Sequence, residues 1–91
     1  MSVLVRIPTT LRPICDGLHE VEVEASTVRE ALAAVDERYP GFSTNLIDDA
    51  GKPRLFVNIF LGDEDIRHLD GLDAEVPDGA HVAVVQAVAG G

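Results

Sequence analysis

Only one segment of the chain repeats its apolar residues at the spacing of an α-helix, and this limits the folds that the sequence can form. Thr27-Val28-Arg29-Glu30 has the pattern of a capping box, in which the Thr27 hydroxyl accepts from the amide of Glu30 and the Glu30 carboxylate reaches back to the amide of Thr27. Pro40-Gly41 ends the segment. The apolar stripe between these signals consists of Val28, Ala31, Leu32, Val35 and Tyr39. We predict one helix, from Val28 to Arg38, with one face buried on a sheet.

The remaining apolar segments have the patterns of β-strands. Val3 to Ile7 and His19 to Ala25 each place their apolar residues on one face, and we expect them to form an antiparallel hairpin joined by a short polar link. Arg54 to Leu61 is apolar on both faces except for Asn58, which is typical of a central strand. Phe42 to Pro53 is predicted to be a loop. A short strand and the final strand are predicted at Ile66 to Leu69 and at His81 to Val88.

This order of elements predicts a single α+β domain. A right-handed crossover through the helix would place the last strand parallel to the first, in the centre of the sheet. The result is a mixed sheet of four to five strands packed on one helix, which is the layout of the β-grasp, or ubiquitin-like, fold. We assign residues 1–87 to this domain and residues 88–91 to a flexible diglycine tail.

The charge and the cysteine count exclude several classes of protein. The chain has 7 basic and 16 acidic residues and a formal net charge of −9, which argues against binding to nucleic acid or to anionic lipid. A single cysteine allows no internal disulfide, no thiolate cluster and no β-grasp ferredoxin. No apolar run is long enough to span a membrane, and the first residues lack the pattern of a signal peptide, so we expect a cytoplasmic protein.

Few side chains have the spacing of a catalytic or metal-binding motif. Asp63-Glu64-Asp65 is predicted to be a solvated turn, because a calcium loop would need glycine and glutamate where His68 and Ala74 stand. Cys15 is predicted to be inert, since the neighbouring Asp16 raises the pKa of a thiol. The histidines are far apart in the sequence and give no metal site; they are His19, His68 and His81.

The ending Val88-Ala89-Gly90-Gly91 offers a reactive group of another kind. Four extended residues without bulky side chains at the end reach about 13 Å and can thread a narrow channel. A terminal carboxylate is a poor electrophile, but an acyl-adenylate formed with ATP is a good one. Sulfide or a persulfide could then displace AMP and leave a thiocarboxylate. The alternative is a frayed tail without function.

With this ending, the sequence resembles the ThiS/MoaD family of ubiquitin-like sulfur carrier proteins, and within it the actinobacterial carriers for cysteine biosynthesis. The matching stretches are Ile7-Pro8-Thr9-Thr10-Leu11-Arg12-Pro13, Phe56-Val57-Asn58-Ile59, Asp63-Glu64-Asp65 and Ala87-Val88-Ala89-Gly90-Gly91. The resemblance covers nearly the whole chain. It implies that Gly91 carries sulfur as a C-terminal thiocarboxylate and that Val88, Ala89 and Gly90 form the threading tail.

The resemblance also implies partners. The activating partner is an E1-like enzyme of the MoeB/ThiF type, which uses ATP, magnesium and zinc, while the carrier itself binds no cofactor and no metal. The downstream partner is a sulfur-acceptor synthase, either a pyridoxal-phosphate-dependent synthase similar to cysteine synthases or another thiolating enzyme, and a metalloprotease then releases the product. Other members of the family supply sulfur for the synthesis of thiamine, molybdopterin, thiolated RNA or thiosugars. The carrier is thus a protein cosubstrate and not an enzyme.

The outer face of the predicted sheet is a candidate docking surface. If Val57, Ile59 and Leu61 point at the helix, the residues between them point away from it and form an aromatic and aliphatic patch on the outer face. An exposed apolar patch usually marks an interface. The alternative is that the loop Phe42 to Pro53 covers part of the patch. The predicted docking residues are Leu4, Arg6, Phe56, Asn58, Phe60 and Val85.

Two other functions fit the sequence. A ubiquitin-like modifier would use the same adenylated tail but transfer it to lysines of other proteins, and Lys52, the only lysine here, would allow self-linked chains through one site alone. A stand-alone acidic binding module would keep its function after removal of Gly90-Gly91.

Overall fold

In the part of the chain that the structure describes, a five-stranded mixed sheet carries one α-helix on its inner face. The computed structural model describes residues 1–55 and 57–86. The strands are β1 (Ser2–Arg6), β2 (Glu20–Glu24), β3 (Val57–Leu61), β4 (Glu64–Asp65) and β5 (Ala80–Gln86). The helices are α1 (Val28–Arg38) and three 3-10 helices, Thr9–Cys15, Ile66–His68 and Gly71–Asp73.

The strand order is β2-β1-β5-β3-β4, so that the first and last strands lie side by side in the middle of the sheet. β1 pairs antiparallel with β2 and parallel with β5, and β3 pairs antiparallel with β5. The predicted hairpin, the predicted parallel central pair and the β-grasp fold are therefore confirmed.

The helix has the predicted bounds and one half of the predicted capping box. The Thr27 hydroxyl accepts from the Glu30 amide at 3.1 Å, as expected. The Glu30 carboxylate, however, accepts from the amide of Ser26 at 2.8 Å rather than from that of Thr27. Thr27 is extended, with φ of −135°, and the carboxylate reaches the amide one residue further back.

The core lies between α1 and the inner face of the sheet. Alternate residues of the two central strands point into it, and the apolar stripe of α1 covers them. The fully buried residues of these three elements are Val3, Val5, Val82, Val28, Ala31, Leu32 and Val35.

The connection between β1 and β2 was expected to be a short polar link, and this is wrong. It forms the 3-10 helix Thr9–Cys15, which buries Leu11 and Cys15 in the core. A turn at Asp16 and Gly17, both with positive φ, then leads into β2.

The region after Pro53 also differs from the prediction. β3 begins at Val57 rather than at Arg54. The strand expected at Ile66 to Leu69 is instead the two-residue β4 followed by the 3-10 helix Ile66–His68. The reason is the Asp65 carboxylate, which accepts from the Arg67 amide at 2.8 Å and so caps a helical turn where a strand was expected.

The loop after α1 contributes to the core. Phe42 and Leu46 are fully buried in the same cluster as the inner-face residues of the sheet. The Asp36 carboxylate holds the loop to the helix by accepting from the amides of Gly41 and Ser43 at 3.1 and 2.9 Å. Both large side chains therefore belong to the core on the helix side, not to a cover over the outer face.

Charged side chains line the edge of the sheet that β2 forms. β2 is an edge strand with exposed glutamates at alternate positions. The Arg38 guanidinium donates to the backbone carbonyl of Glu22 at 3.1 Å. Charged side chains of this kind discourage the pairing of an edge with a strand of another molecule.

The role of the loop can be tested with two leucine-to-alanine substitutions, one at a buried position and one at an exposed position. We expect Leu46→Ala to lower the free energy of unfolding by about 2–5 kcal/mol, because it removes a fully buried side chain and leaves a cavity. Leu55→Ala is the matched control, since Leu55 is 82% exposed, and we expect a change below about 0.5 kcal/mol. Urea unfolding of both variants measures the difference, and equal losses would contradict the buried position of Leu46.

Candidate functional site

The outer face of the sheet is centred on β5, the strand from which the tail continues. Ala83 of β5 lies opposite Arg6 of β1 on one side and Phe60 of β3 on the other. One step further toward the end of the strand, Val85 lies opposite Asn58. The structure thus brings together, on neighbouring strands, residues that are up to 79 positions apart in the sequence, as between Arg6 and Val85.

The predicted assignment of residues to the two faces is confirmed for the described residues. Val82 and Val84 are buried, whereas Val85, the residue that follows Val84 on β5, is 50% exposed. Arg6 is exposed. The other predicted docking residues on this face are half-buried; they are Leu4, Asn58 and Phe60. Phe56 lies outside the described residues.

The root of the tail is tied to the first 3-10 helix. β5 ends at Gln86, and the Thr10 hydroxyl donates a hydrogen bond to the side-chain oxygen of Gln86. The predicted tail, Val88, Ala89, Gly90 and Gly91, lies outside the described residues. The contact fixes the point from which the tail starts.

An ion pair that the sequence analysis missed borders the outer face. The Arg67 guanidinium donates to the Asp65 carboxylate at 2.7 Å and to the side-chain oxygen of Asn58 at 3.2 Å. Asn58 is therefore held by a cation from the neighbouring 3-10 helix. The sequence signal for this pair is the spacing of Asp65 and Arg67. The same residues also fit the predicted acidic turn followed by a strand, which hid the pair.

The ion pair changes the acidity of the carboxyl group that it contains. The side-chain hydrogen bonds from Arg67, followed by the hydrogen bond from its amide, lower the pKa of Asp65 to about 2. The same contact raises the pKa of Arg67. Asp65 therefore stays ionised, and the link to Asn58 persists throughout the neutral range.

Two depressions lie along the outer face. One, of about 460 Å³, runs between the Pro8–Arg12 segment and the last residues of β5. The other, of about 650 Å³, lies toward the opposite end of the strands, next to His81 and Asp63. Arg6 and Ala83 line both of them, so these two residues lie between the depressions.

The remaining candidates for chemistry are separate from this face. Cys15 is fully buried, and burial, followed by the nearby Asp16, raises the pKa of its thiol. Within residues 1–55 and 57–86 there is no group of three or more histidine, cysteine or acidic side chains that could hold a metal ion. No helix in the same residues has the length and apolar character needed to cross a membrane.

Comparison with known proteins identifies the relatives of the chain. Residues 5–91 match the ThiS family. The sulfur carrier protein CysO of Mycobacterium tuberculosis is 40% identical over 93 residues, with 100% of both chains covered. Small archaeal modifier protein 3 of Haloferax volcanii is 35% identical over 66 residues, which cover 72% of this chain and 71% of that protein.

Solved structures agree with these relationships. A chain in the crystal structure of the Amycolatopsis orientalis BexX/CysO complex has a TM-score of 0.90 and 40% identity, with 98% of this chain and 99% of that chain covered. The crystal structure of Mycobacterium tuberculosis CysO has a TM-score of 0.88 and 38% identity, with 94% and 99% covered.

The ion pair beside Asn58 predicts how stability depends on pH. Because the pKa of Asp65 is lowered in the folded state, the contribution of the pair is present above about pH 4, the range of an ordinary aspartate, and is lost as the pH falls through about 2. We expect Arg67→Gln to return the pKa of Asp65 toward about 3.9. The difference in unfolding free energy between the variant and the wild type should shrink as the pH falls through 2 and vanish only below that pH.

Carboxyl NMR titration of Asp65 measures the pKa directly. Arg29→Gln is the matched control, since it removes an exposed ion pair with Asp73 elsewhere on the surface and should leave the titration of Asp65 unchanged. An ordinary pKa for Asp65 in the wild-type protein would contradict the geometry of the pair.

Proposed function

The chain belongs to the ThiS family, and we propose that it is a sulfur carrier whose Gly91 carboxylate becomes a thiocarboxylate for the synthesis of cysteine or a related metabolite, such as a thiosugar, thiamine or molybdopterin. The observation that carries the proposal is the match of the family to residues 5–91, which include the diglycine. Full-length identity of 40% to CysO favours the cysteine branch.

The proposed chemistry has two steps. A carboxylate oxygen of Gly91 attacks the α-phosphorus of ATP, and pyrophosphate leaves. The sulfur of hydrosulfide then attacks the carbonyl carbon, AMP leaves with the bonding electrons, and a proton is released. The product is a thiocarboxylate that carries sulfur in a nucleophilic form. Glycine at the last positions lets an enzyme enclose this end closely, since no side chain stands in the way.

The proposed partners supply the catalytic groups. An E1-like enzyme of the MoeB/ThiF type would hold ATP and magnesium for the adenylation, with zinc as part of its own structure. A pyridoxal-phosphate-dependent synthase or another thiolating enzyme would accept the sulfur, and a metalloprotease would release the product. The chain itself acts as a cosubstrate. A complex of BexX with CysO supports the view that similar carriers bind other proteins.

The outer face is the proposed docking surface for these enzymes. Val85 is the most exposed apolar residue on the last strand, close to the root of the tail. Phe60 and Asn58 extend the patch on β3, and Asn58 is held in place by Arg67. A partner that covers this patch would remove apolar surface from water while it takes up the tail.

A second function has a specific observation in its favour. The similarity to small archaeal modifier protein 3 supports a ubiquitin-like modifier that is joined to lysines of other proteins. Both functions begin with the same adenylate and differ in the acceptor, a sulfur atom or a lysine amine. The two are distinguished by the product formed on Gly91.

The carrier function predicts a defined covalent change. After incubation with ATP, magnesium, sulfide and the MoeB/ThiF-type enzyme of the same organism, intact mass measurement should show replacement of one terminal oxygen by sulfur at Gly91. We expect Gly91→Val to remain folded but to form no thiocarboxylate, because a branched side chain obstructs the channel for the tail. An isopeptide-linked protein product instead of the thiocarboxylate would favour the modifier, and conversion of Gly91→Val would overturn the threading argument.

The docking surface predicts a contrast between two added charges. Val85→Asp and Ile14→Asp each replace an exposed apolar residue with a carboxylate, and Ile14 lies in the first 3-10 helix with its Cδ1 next to Gly41. We expect Val85→Asp to raise the KM of the activating enzyme for the carrier about tenfold, since a charge is desolvated in the interface. Ile14→Asp should change it by less than about twofold. Equal effects of the two variants would place the docking surface elsewhere.

A further inference from the structure

We propose, on the basis of the proposed function, that the groove beside the last strand receives an acidic segment of the enzyme that takes up the tail, and that Arg6 and Arg12 are its cationic contacts. The groove is the depression of about 460 Å³ between the Pro8–Arg12 segment and the residues 83–86 of β5. This assigns a chemical character to the partner surface, in addition to the apolar patch described above.

The charge of the groove is opposite to that of the chain. The protein has 16 acidic residues and only 7 basic ones, yet two of its arginines line this groove and no aspartate or glutamate does. The other polar groups of the lining are the hydroxyls of Thr9 and Thr10 and the amide of Gln86. Of these, the Thr9 hydroxyl and the Gln86 amide nitrogen can donate to an occupant, whereas the Thr10 hydroxyl already donates to Gln86. The guanidinium groups donate in pairs to carboxylates. The lining therefore favours an anionic occupant.

The two arginines have different settings. Arg12 is half-buried, and its Nε donates to the carbonyl of Ile7 at 3.2 Å, which fixes the guanidinium beside the groove. Arg6 is exposed on the outer face, opposite Glu20 on β2 and Ala83 on β5. Among the described residues no carboxylate lies within 4.0 Å of either guanidinium. Both cations are thus available to an incoming group.

The charges next to the groove determine which occupant binds there, even though the whole chain has a net charge of −9. At physiological ionic strength the Debye length is about 8 Å, so that charges on distant parts of the surface are largely screened. An acidic segment seated in the groove would contact Arg6 and Arg12, whereas Glu20, which lies opposite Arg6 on β2, is not part of the groove lining. The same segment placed against the glutamates of β2 would be repelled, and this difference fixes the orientation of the carrier on its partner.

The position of the groove distinguishes a protein segment from a nucleotide. Residues 87–91 follow the groove in sequence and, extended in a channel, span at most about 18 Å. An extended tail places the Gly91 carboxylate, and with it the ATP phosphates that react there, about this far from the groove. The anionic group near Arg6 and Arg12 is therefore assigned to the enzyme surface at the entrance of the channel.

The assignment is tested by measuring the KM of the MoeB/ThiF-type enzyme of the same organism for variants of the carrier. The variants are Arg6→Glu and, as matched control, Lys52→Glu, which lies in the loop after α1 and also lowers the formal net charge by two. We expect Arg6→Glu to raise KM at least about tenfold at an ionic strength of about 0.05 M, and less at about 0.5 M, because salt screens the contact. Lys52→Glu should stay within about twofold, and the neutral variant Arg6→Gln should lie between the two.

The possible outcomes separate the inference from the function on which it rests. If the wild-type chain is converted to thiocarboxylate and Arg6→Glu behaves like Lys52→Glu, the groove assignment is wrong while the carrier function stands. If MgATP alone shifts the amide resonances of residues 9–12, the groove binds the nucleotide, and the assignment to a protein segment is overturned. If the wild-type chain forms no thiocarboxylate, the carrier function fails, and the inference fails with it.

Discussion

The parallel pairing of β1 with β5 is the contact on which the rest of the structure depends. It requires the chain to cross from one side of the sheet to the other, and α1 with the following loop forms the cover of the core in that crossover. It also places the final strand in the middle of the sheet, where it is held on both sides. The tail therefore follows in sequence a strand that is paired on both sides.

The same pairing organises the charges. Alternation along β5 turns Val82 and Val84 inward and leaves Ala83 and Val85 outward, next to Arg6 of β1. A cation and an apolar residue that are distant in sequence therefore lie on neighbouring strands. The acidic residues of β2 border this area on one side, and the Asp65–Arg67 pair borders it on the other. The face is therefore asymmetric, and under the proposed function this asymmetry would orient the carrier on the enzyme that takes up its tail.

Periodicity and capping made most of the fold predictable, while contacts between distant segments did not. The bounds of α1 and the inward valines follow from repeating patterns within single segments, and these were predicted correctly. The helical turn at Ile66 was missed because a single side-chain hydrogen bond from the Arg67 amide to Asp65 outweighs the strand propensity of the apolar residues there. The groove was missed for a related reason, since the Pro8–Arg12 segment meets β5 only in the folded chain.

The buried position of Cys15 has a consequence for a protein proposed to transport reduced sulfur. Disulfide exchange proceeds through a thiolate with access to its target, and this thiol has neither access nor an ordinary tendency to ionise. A carrier built in this way cannot quench its cargo by internal oxidation, and its copies cannot be cross-linked through this residue while they remain folded. The proposed terminal sulfur would therefore meet no accessible cysteine thiol on the folded carrier.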